Sequence, residues 1–197
     1  MNQRGTRRLI ELRNSYQGRT CCVVGMGPTL LELTQDSFGP EDVVLALNHA
    51  VIQIEALGLM NPVYSMQKDG FCVRPKKVPL IVHELEGIHT VGAPGANSPD
   101  YEPRYMFNNP GDFDLEWYRP SVVTAVKIAE LFGCPRVKLL ACDALSTGDC
   151  RRVEFDEVGN PRIDSGFPCY TAPTEKLQQL ERSIPIAIDW NKPAANG

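Results

Sequence analysis

The sequence predicts an α/β protein built on a doubly wound, mostly parallel sheet. Short unbroken apolar runs, typical of strands buried on both faces, recur along the chain. Segments with helical spacing of apolar residues lie between them. A glycine turn, Gly25–Thr29, joins the first run to the segment that follows it. Alternation of this kind places helices on both faces of one sheet, and we therefore predict a Rossmann-like fold.

Length and composition fit a single domain. The chain has 197 residues, of which 43% are hydrophobic and 22% charged, and this suffices for one sizeable core. We predict one domain over residues 1–197, with a loose tail at 190–197. No apolar segment approaches the roughly 20 residues that span a bilayer, and the N-terminus lacks a hydrophobic signal core. The expected location is the cytoplasm.

Cysteine usage and charge narrow the class of protein further. The seven cysteines show no C-x-x-C pair and no zinc spacing, so we expect reduced core residues, with Cys21, Cys22 and Cys142 in or beside apolar runs. A net charge of −4 argues against a generally nucleic-acid-binding surface. Five arginines nevertheless lie close together near the N-terminus, and a basic edge there would favour a polyanionic acceptor. They are Arg4, Arg7, Arg8, Arg13 and Arg19.

The glycine turn is the first candidate for a binding site. It follows the predicted strand Cys21–Val24 and precedes a helical pattern over Leu30–Phe38. Glycines let the backbone approach a bound group, and the N–H groups that open a helix favour phosphate. The dinucleotide fingerprint fails because Leu30 stands at its third glycine, and a P-loop lacks its Gly-Lys-Ser/Thr. A purely structural turn and a phosphate cradle are both compatible with the residues.

Polar residues follow three more predicted strands. Val43–Leu47 ends in Asn48, whose amide can donate and accept. Pro62–Met66 leads to Asp69, and Val137–Ala141 leads to Asp143. In open α/β sheets ligands collect at the carboxyl ends of the strands. We therefore expect these residues to line one crevice with the glycine turn.

The remaining elements are predicted from spacing and from turn residues. The segment 92–120 has no clear period but many aromatic residues, and we interpret it as a lid or acceptor loop. A polar excursion near 146–166 reads as a hairpin with its turn at Val158–Pro161. Helices are predicted at Thr6–Tyr16, His49–Leu57, Ser121–Gly133 and Thr174–Arg182, and further strands at Val78–Val82, Ile88–Val91 and Ile184–Ile188.

Four stretches in order carry a family resemblance: VVGMGPTL, LALN, NPVYSMQKD, and SVVTAVKIAELFG with CPRVKLLACD. They resemble the sialyltransferase-like and pterin-diphosphokinase-like superfamily. This group includes bacterial sialyltransferases, flagellin-modifying glycosyltransferases and archaeal 6-hydroxymethylpterin diphosphokinases. Its members have a G-x-G-P-S-L turn after the first strand, an Asn ending the second, and a Ser-initiated helix before a strand ending in G-x-D. The resemblance runs from Thr20 to Asp143.

The resemblance implies a role for each matching residue. The nucleotide-activated donor, of the CMP- or UDP-sugar type, would be held by its phosphate at the glycine turn and by Asn48, with Ser121 facing the donor. Asp143 matches the family's strand-end acid, and Asp69 matches an acid after the third strand. The donor-binding set is Gly25, Met26, Gly27, Pro28, Thr29, Asn48 and Ser121.

Two departures from the family pattern bear on mechanism. Ala141 stands where the family has glycine, and the general-base histidine of the sialyltransferase branch has no counterpart after Asp143. The catalytic candidates are therefore Asp69, Asp143 and His49. A Mg²⁺ ion bridging the two aspartates to a diphosphate is compatible with that ion's preference for carboxylates and phosphate oxygens.

Three functions follow as expectations. The first is a glycosyltransferase that moves a sugar from a nucleotide-activated donor to a hydroxyl of a glycan, a small molecule or a modified DNA base. The second is a diphosphotransferase of the hydroxymethylpterin type, and the third is a non-catalytic nucleotide-binding module. The sequence leaves the acceptor and the oligomeric state open.

Overall fold

The computed structural model describes residues 6–67, 78–83, 104–107, 121–156, 158–165, 172–183 and 185–189. Within these ranges the strands are β1 Thr6–Arg8, β2 Thr20–Val24, β3 Val43–Leu47, β4 Val63–Gln67, β5 Leu80–His83, β6 Arg104–Phe107, β7 Arg136–Leu140, β8 Arg152–Phe155, β9 Pro161–Asp164 and β10 Ala187–Asp189. The α-helices are α1 Ala50–Leu57, α2 Ser121–Leu131, α3 Asp143–Ser146 and α4 Ala172–Ser183.

One parallel sheet organises the fold. Its eight strands run in the order β1-β6-β5-β4-β3-β2-β7-β10, and every neighbouring pair is parallel. From β2 the chain adds strands in one direction through β6, and then returns to place β7 on the other side of β2. The predicted α/β class with a mostly parallel sheet is confirmed. Strands β8 and β9 form a separate antiparallel hairpin.

The strands β2 and β3 are buried on both faces of the sheet. Along β2, Cys21 and Val23 face one apolar cluster, and Cys22 and Val24 face the other. The first cluster contains α2, Leu9 and residues of α4. The second contains α1 and Val153 of the hairpin. Central strands of a sheet covered on both sides need continuous apolar runs, and this is why the runs in β2 and β3 identified them correctly.

Two predicted helices are wrong. Residues 6–8 form an edge strand paired with β6, followed by a 3₁₀ turn at Leu9–Leu12. The segment after the glycine turn forms two short 3₁₀ turns, Pro28–Glu32 and Gln35–Ser37, in place of one helix. In both segments tertiary pairing and local turns outweigh the helical spacing of the leucines.

The remaining predicted helices and the predicted hairpin agree closely with the structure. The helix predicted at His49–Leu57 is α1, and Gly58 ends it in the left-handed conformation with φ 62°. The hairpin predicted beyond residue 146 is present as β8–β9. The helices predicted at Ser121–Gly133 and Thr174–Arg182 are α2 and α4.

Part of the segment predicted as a lid belongs to the sheet. Arg104–Phe107 forms β6, between β1 and β5. The rest of 92–120, the strand predicted at Ile88–Val91, Asp69 and the tail at 190–197 lie outside the described residues. Their predicted roles stay predictions.

Most of the described cysteines are free thiols, as predicted: Cys21, Cys22, Cys134 and Cys142. Cys150 is an exception, because it is disulfide-bonded. Its partner lies outside the described residues, and nothing in the cysteine spacing signalled the bond. None of the helices in the described part of the chain is long and apolar enough to cross a membrane.

Candidate functional site at the carboxyl edge of the sheet

The candidate site lies where the strand order reverses. Strands β2 and β7 are neighbours, and the chain continues from β2 to one side of the sheet and from β7 to the other. Loops that leave such a point diverge and open a crevice at the carboxyl edge. The glycine turn follows β2 at this edge, and Cys142 and Asp143 follow β7.

Both glycines of the turn are required by the close approach of the two strand ends. The N–H of Gly25 donates to the carbonyl of Leu140 and that of Gly27 to the carbonyl of Ala141, each at 2.8 Å. A Cβ at Gly25 would lie 2.5 Å from the Ala141 carbonyl oxygen and 2.9 Å from Cys142 Sγ. A side chain is therefore excluded at Gly25 by packing alone.

The carboxylate of Asp143 fills the space in front of the glycine turn. It is 6% exposed, and a Cβ at Gly27 would overlap it. Thr29 donates to it twice, from its N–H to Oδ2 at 3.0 Å and from its hydroxyl to Oδ1 and Oδ2 at 2.8 and 2.9 Å. The resemblance assigns Thr29 to the phosphate of the nucleotide sugar. In the structure its N–H and its hydroxyl instead donate to the protein's own carboxylate.

Two further residues of the turn, Met26 and Pro28, also have structural roles. Pro28 stands at the first position of the 3₁₀ turn, where its missing N–H costs no hydrogen bond. The carbonyl of Met26 accepts from Val153 of the hairpin at 2.6 Å. A phosphate at Thr29 fits only if Asp143 moves away, so the phosphate-binding role of Gly25–Thr29 stays a prediction.

The departure from the family pattern at residue 141 has a structural meaning. Ala141 adopts φ 50°, in the left-handed region that glycine occupies without strain. Its carbonyl accepts the Gly27 N–H, so the strained conformation aims that carbonyl at the turn.

The end of β3 places two polar side chains at the same edge. Asn48 also lies in the left-handed region, with φ 49°, and its N–H donates to the carbonyl of Met66 at 3.0 Å. His49 follows and immediately precedes α1. The Nδ1 atom of His49 accepts the N–H of Phe155 in β8 at 3.4 Å. The hairpin therefore contacts both the glycine turn and the turn after β3.

Three side-chain groups at this edge have no protein partner in the described part of the chain: the amide of Asn48, Nε2 of His49 and the hydroxyl of Ser121. All three residues are partly exposed. Ser121 is the first residue of α2, which packs against β2 and β3 and leads into β7. A helix that connects parallel strands runs against them, so its N-terminus lies at the carboxyl edge. No described residue therefore prevents these groups from binding a ligand.

Cys142, the cysteine that the structure describes at this edge, is not suited to nucleophilic chemistry. Burial, together with the charge of Asp143, raises the pKa of Cys142 to about 12. The thiol is protonated at neutral pH and is a poor nucleophile, because the thiolate is the reactive form.

The described residues do not assemble a magnesium site. Nowhere within the described ranges do three His, Cys, Asp or Glu side chains cluster as metal ligands. Both oxygens of Asp143 accept hydrogen bonds from Thr29. Since Asp69 lies outside the described residues, a bridging Mg²⁺ stays a prediction.

Sequence reasoning brought the right strand ends together but missed two contacts. The first is the pairing of Thr29 with Asp143, and the second is the attachment of the hairpin through Val153 and Phe155. The alternation of Val153 and Phe155 with charged neighbours in an otherwise polar stretch was the available signal. Comparison of the chain with protein-family models, curated proteins and solved structures gave no match.

Proposed function

We propose that this protein is a glycosyltransferase that moves a sugar from a nucleotide-activated donor to a hydroxyl acceptor. One observation supports this function above the others. Polar groups on Asn48, His49 and Ser121, which have no partner among the residues that the structure describes, lie at the carboxyl edge of a parallel sheet whose strand order reverses there. Nucleotides bind at such a position in open α/β sheets.

The proposed site divides the work among these groups. Transfer from a nucleotide sugar requires stabilisation of the leaving phosphate and a base near the acceptor hydroxyl. The amide of Asn48 and the N-terminus of α2 at Ser121 supply hydrogen-bond donors suited to the first task. The base is drawn from Asp69, Asp143 and His49. The buried Asp143 carboxylate also keeps the glycine turn in place through Thr29.

A panel of nucleotides tests the proposal. A ligand that binds only the folded state raises the free energy of unfolding by mass action, by about 2.7 kcal/mol at a ligand concentration of one hundred times Kd. The melting temperature rises with it. We expect CMP, UDP or their sugar conjugates to raise the melting temperature. A response to ATP with Mg²⁺ alone, lost in excess chelator, identifies a diphosphotransferase instead, and no response to any compound rules out both enzymes.

A charge variant supplies the control. Asn48→Asp keeps a residue that tolerates the left-handed conformation and replaces the amide by a carboxylate that repels phosphate. We expect this variant to melt close to the wild type without nucleotide and to lose the nucleotide-dependent rise. An undiminished rise would remove Asn48 from the site.

A further inference from the structure

We propose that His49 is a neutral hydrogen-bond donor to a phosphate oxygen of the nucleotide, through Nε2–H, and is not the general base. The inference rests on the proposed function for the identity of the ligand. The protonation pattern of the imidazole rests on the hairpin contact alone. The two parts are therefore tested separately.

The contact with the hairpin selects one tautomer. A backbone N–H can donate only to a nitrogen that carries a lone pair, so Nδ1 of His49 is unprotonated while it accepts from Phe155. In a neutral imidazole the proton then resides on Nε2. The ring thus presents a donor, and its single lone pair is already engaged by the protein.

One hydrogen bond orients the imidazole, and the backbone segments that carry its two partners are themselves anchored. Strand β8 is anchored by two N–H groups on one edge, Val153 to the Met26 carbonyl and Phe155 to His49. Val153 is fully buried in the cluster that also contains α1. The backbone before His49 is also anchored, because the N–H of Asn48 donates to the carbonyl of Met66. The side chain of His49 therefore has little freedom to turn its Nδ1 toward a ligand.

The free nitrogen matches phosphate rather than a hydroxyl that must lose a proton. Nε2 of His49 has no partner among the residues that the structure describes, and the residue is partly exposed. Phosphate oxygens only accept hydrogen bonds, and an N–H donor complements them. A general base must offer a lone pair to the acceptor hydroxyl, and the lone pair on Nδ1 is taken by Phe155.

Nitrogen-15 NMR of the imidazole tests the tautomer in the free protein. With the wild type near pH 8, the two ring nitrogens of His49 are assigned through their couplings to the ring protons. We expect Nε2 to be protonated and Nδ1 to show the shift of an unprotonated nitrogen. A proton on Nδ1, or averaging between the two tautomers, would overturn the inference whether or not any nucleotide binds.

Two substitutions separate the donor from the hairpin contact. His49→Asn places an amide oxygen where Nδ1 lies, so it retains an acceptor for Phe155 and loses the distal donor. His49→Gln places an amide nitrogen where Nε2 lies and retains the donor. The probes are CMP, UDP and ATP, with Kd measured by calorimetry for each that binds the wild type.

The expected result is an asymmetry between the two variants. Losing a hydrogen bond to a charged group weakens binding roughly tenfold or more, so we expect this loss in His49→Asn and a Kd within about threefold of the wild type in His49→Gln. Equal losses in both variants, or a greater loss in His49→Gln, would contradict the donor role. If no probe binds the wild type, the ligand assignment falls together with the proposed function, whereas the NMR result still decides the tautomer.

Discussion

At the scale of single residues, the pairing of Thr29 with Asp143 sets the shape of the site. Two donors of one residue meet one buried carboxylate, and Gly27 leaves the space for it. Buried carboxylates are costly unless their oxygens are hydrogen-bonded. Thr29 is therefore the residue that allows Asp143 to be buried beside the turn.

Removing the Thr29 hydroxyl tests this dependence. Thr29→Val keeps the shape of the side chain and the backbone N–H but leaves Asp143 without the hydroxyl bonds. We expect the free energy of unfolding to fall by about 1–3 kcal/mol, measured by urea denaturation. Thr29→Ser retains the hydroxyl and is the control, with an expected loss below about 1 kcal/mol. Similar losses in the two variants would show that the hydroxyl is not what supports the carboxylate.

The sequence predicted which residues of the site follow strand ends, but it did not predict the contacts between them. The apolar runs showed that Thr29, Asn48 and Asp143 follow parallel strands and so share an edge. The direct bond between Thr29 and Asp143 could not be foreseen, because it depends on how closely β2 and β7 approach each other, through Gly25 and Leu140. Periodicity carries no information about that distance.

At the scale of elements, the hairpin β8–β9 is the unexpected part of the site. It was predicted as a polar excursion, yet β8 contacts the loops after two different strands of the sheet. Its inner face is apolar at Val153 and Phe155, which pack with the cluster around α1. A short two-stranded hairpin is marginal alone, so this packing is what holds it in place.

Truncating the buried hairpin residue tests the attachment. Val153 is fully buried, and its cross-strand neighbour Ile163 is 51% exposed. We expect Val153→Ala to lower the free energy of unfolding by about 1–3 kcal/mol and to speed hydrogen exchange at the amides of residues 153 and 155. Ile163→Ala, on the same hairpin, should change stability by less than about 1 kcal/mol. Unchanged exchange in Val153→Ala would mean that the hairpin is held by other contacts.

The elements that were mispredicted share a physical cause. The pattern of Leu9, Ile10 and Leu12 resembles a helix, but residues 6–8 pair with β6, a partner that lies far along the chain. Local spacing cannot reveal such a partner. By contrast, β2 and β3 lie between other strands and are buried on both faces, and such burial requires the continuous apolar runs that the sequence shows.

At the scale of the whole molecule, the fold buries several thiols whose pKa values are raised above the ordinary value, and this makes stability depend on pH in the alkaline range. Burial and the nearby Asp42 raise the pKa of Cys22, and the hydrogen bond with Cys134, followed by burial, raises that of Cys21. The pKa of Cys142 is raised to about 12. Below the ordinary thiol pKa of about 8.5 both states keep these protons, and stability is unaffected.

Alkaline pH should therefore weaken the fold. Above about pH 9 the unfolded chain releases thiol protons that the folded chain retains, so each buried thiol lowers the free energy of unfolding by about 1.4 kcal/mol per pH unit. For Cys142 the loss continues up to about pH 12. Denaturation curves between pH 8 and pH 11 measure the slope, and Cys142→Ala should reduce it by one thiol's share. An identical slope in that variant would show that Cys142 does not contribute.

The pairing of β1 with β6 affects the order in which the chain can assemble during its synthesis. Thr6 leaves the ribosome early, but its neighbour in the sheet, Arg104, follows only after the strands from β2 to β5 have emerged. Until then the N-terminal strand has no edge to join, whereas β2, β3 and β4 can already pair with one another. Strand β1 is thus incorporated into the sheet only after the central strands have been synthesised, although it precedes all of them in the sequence.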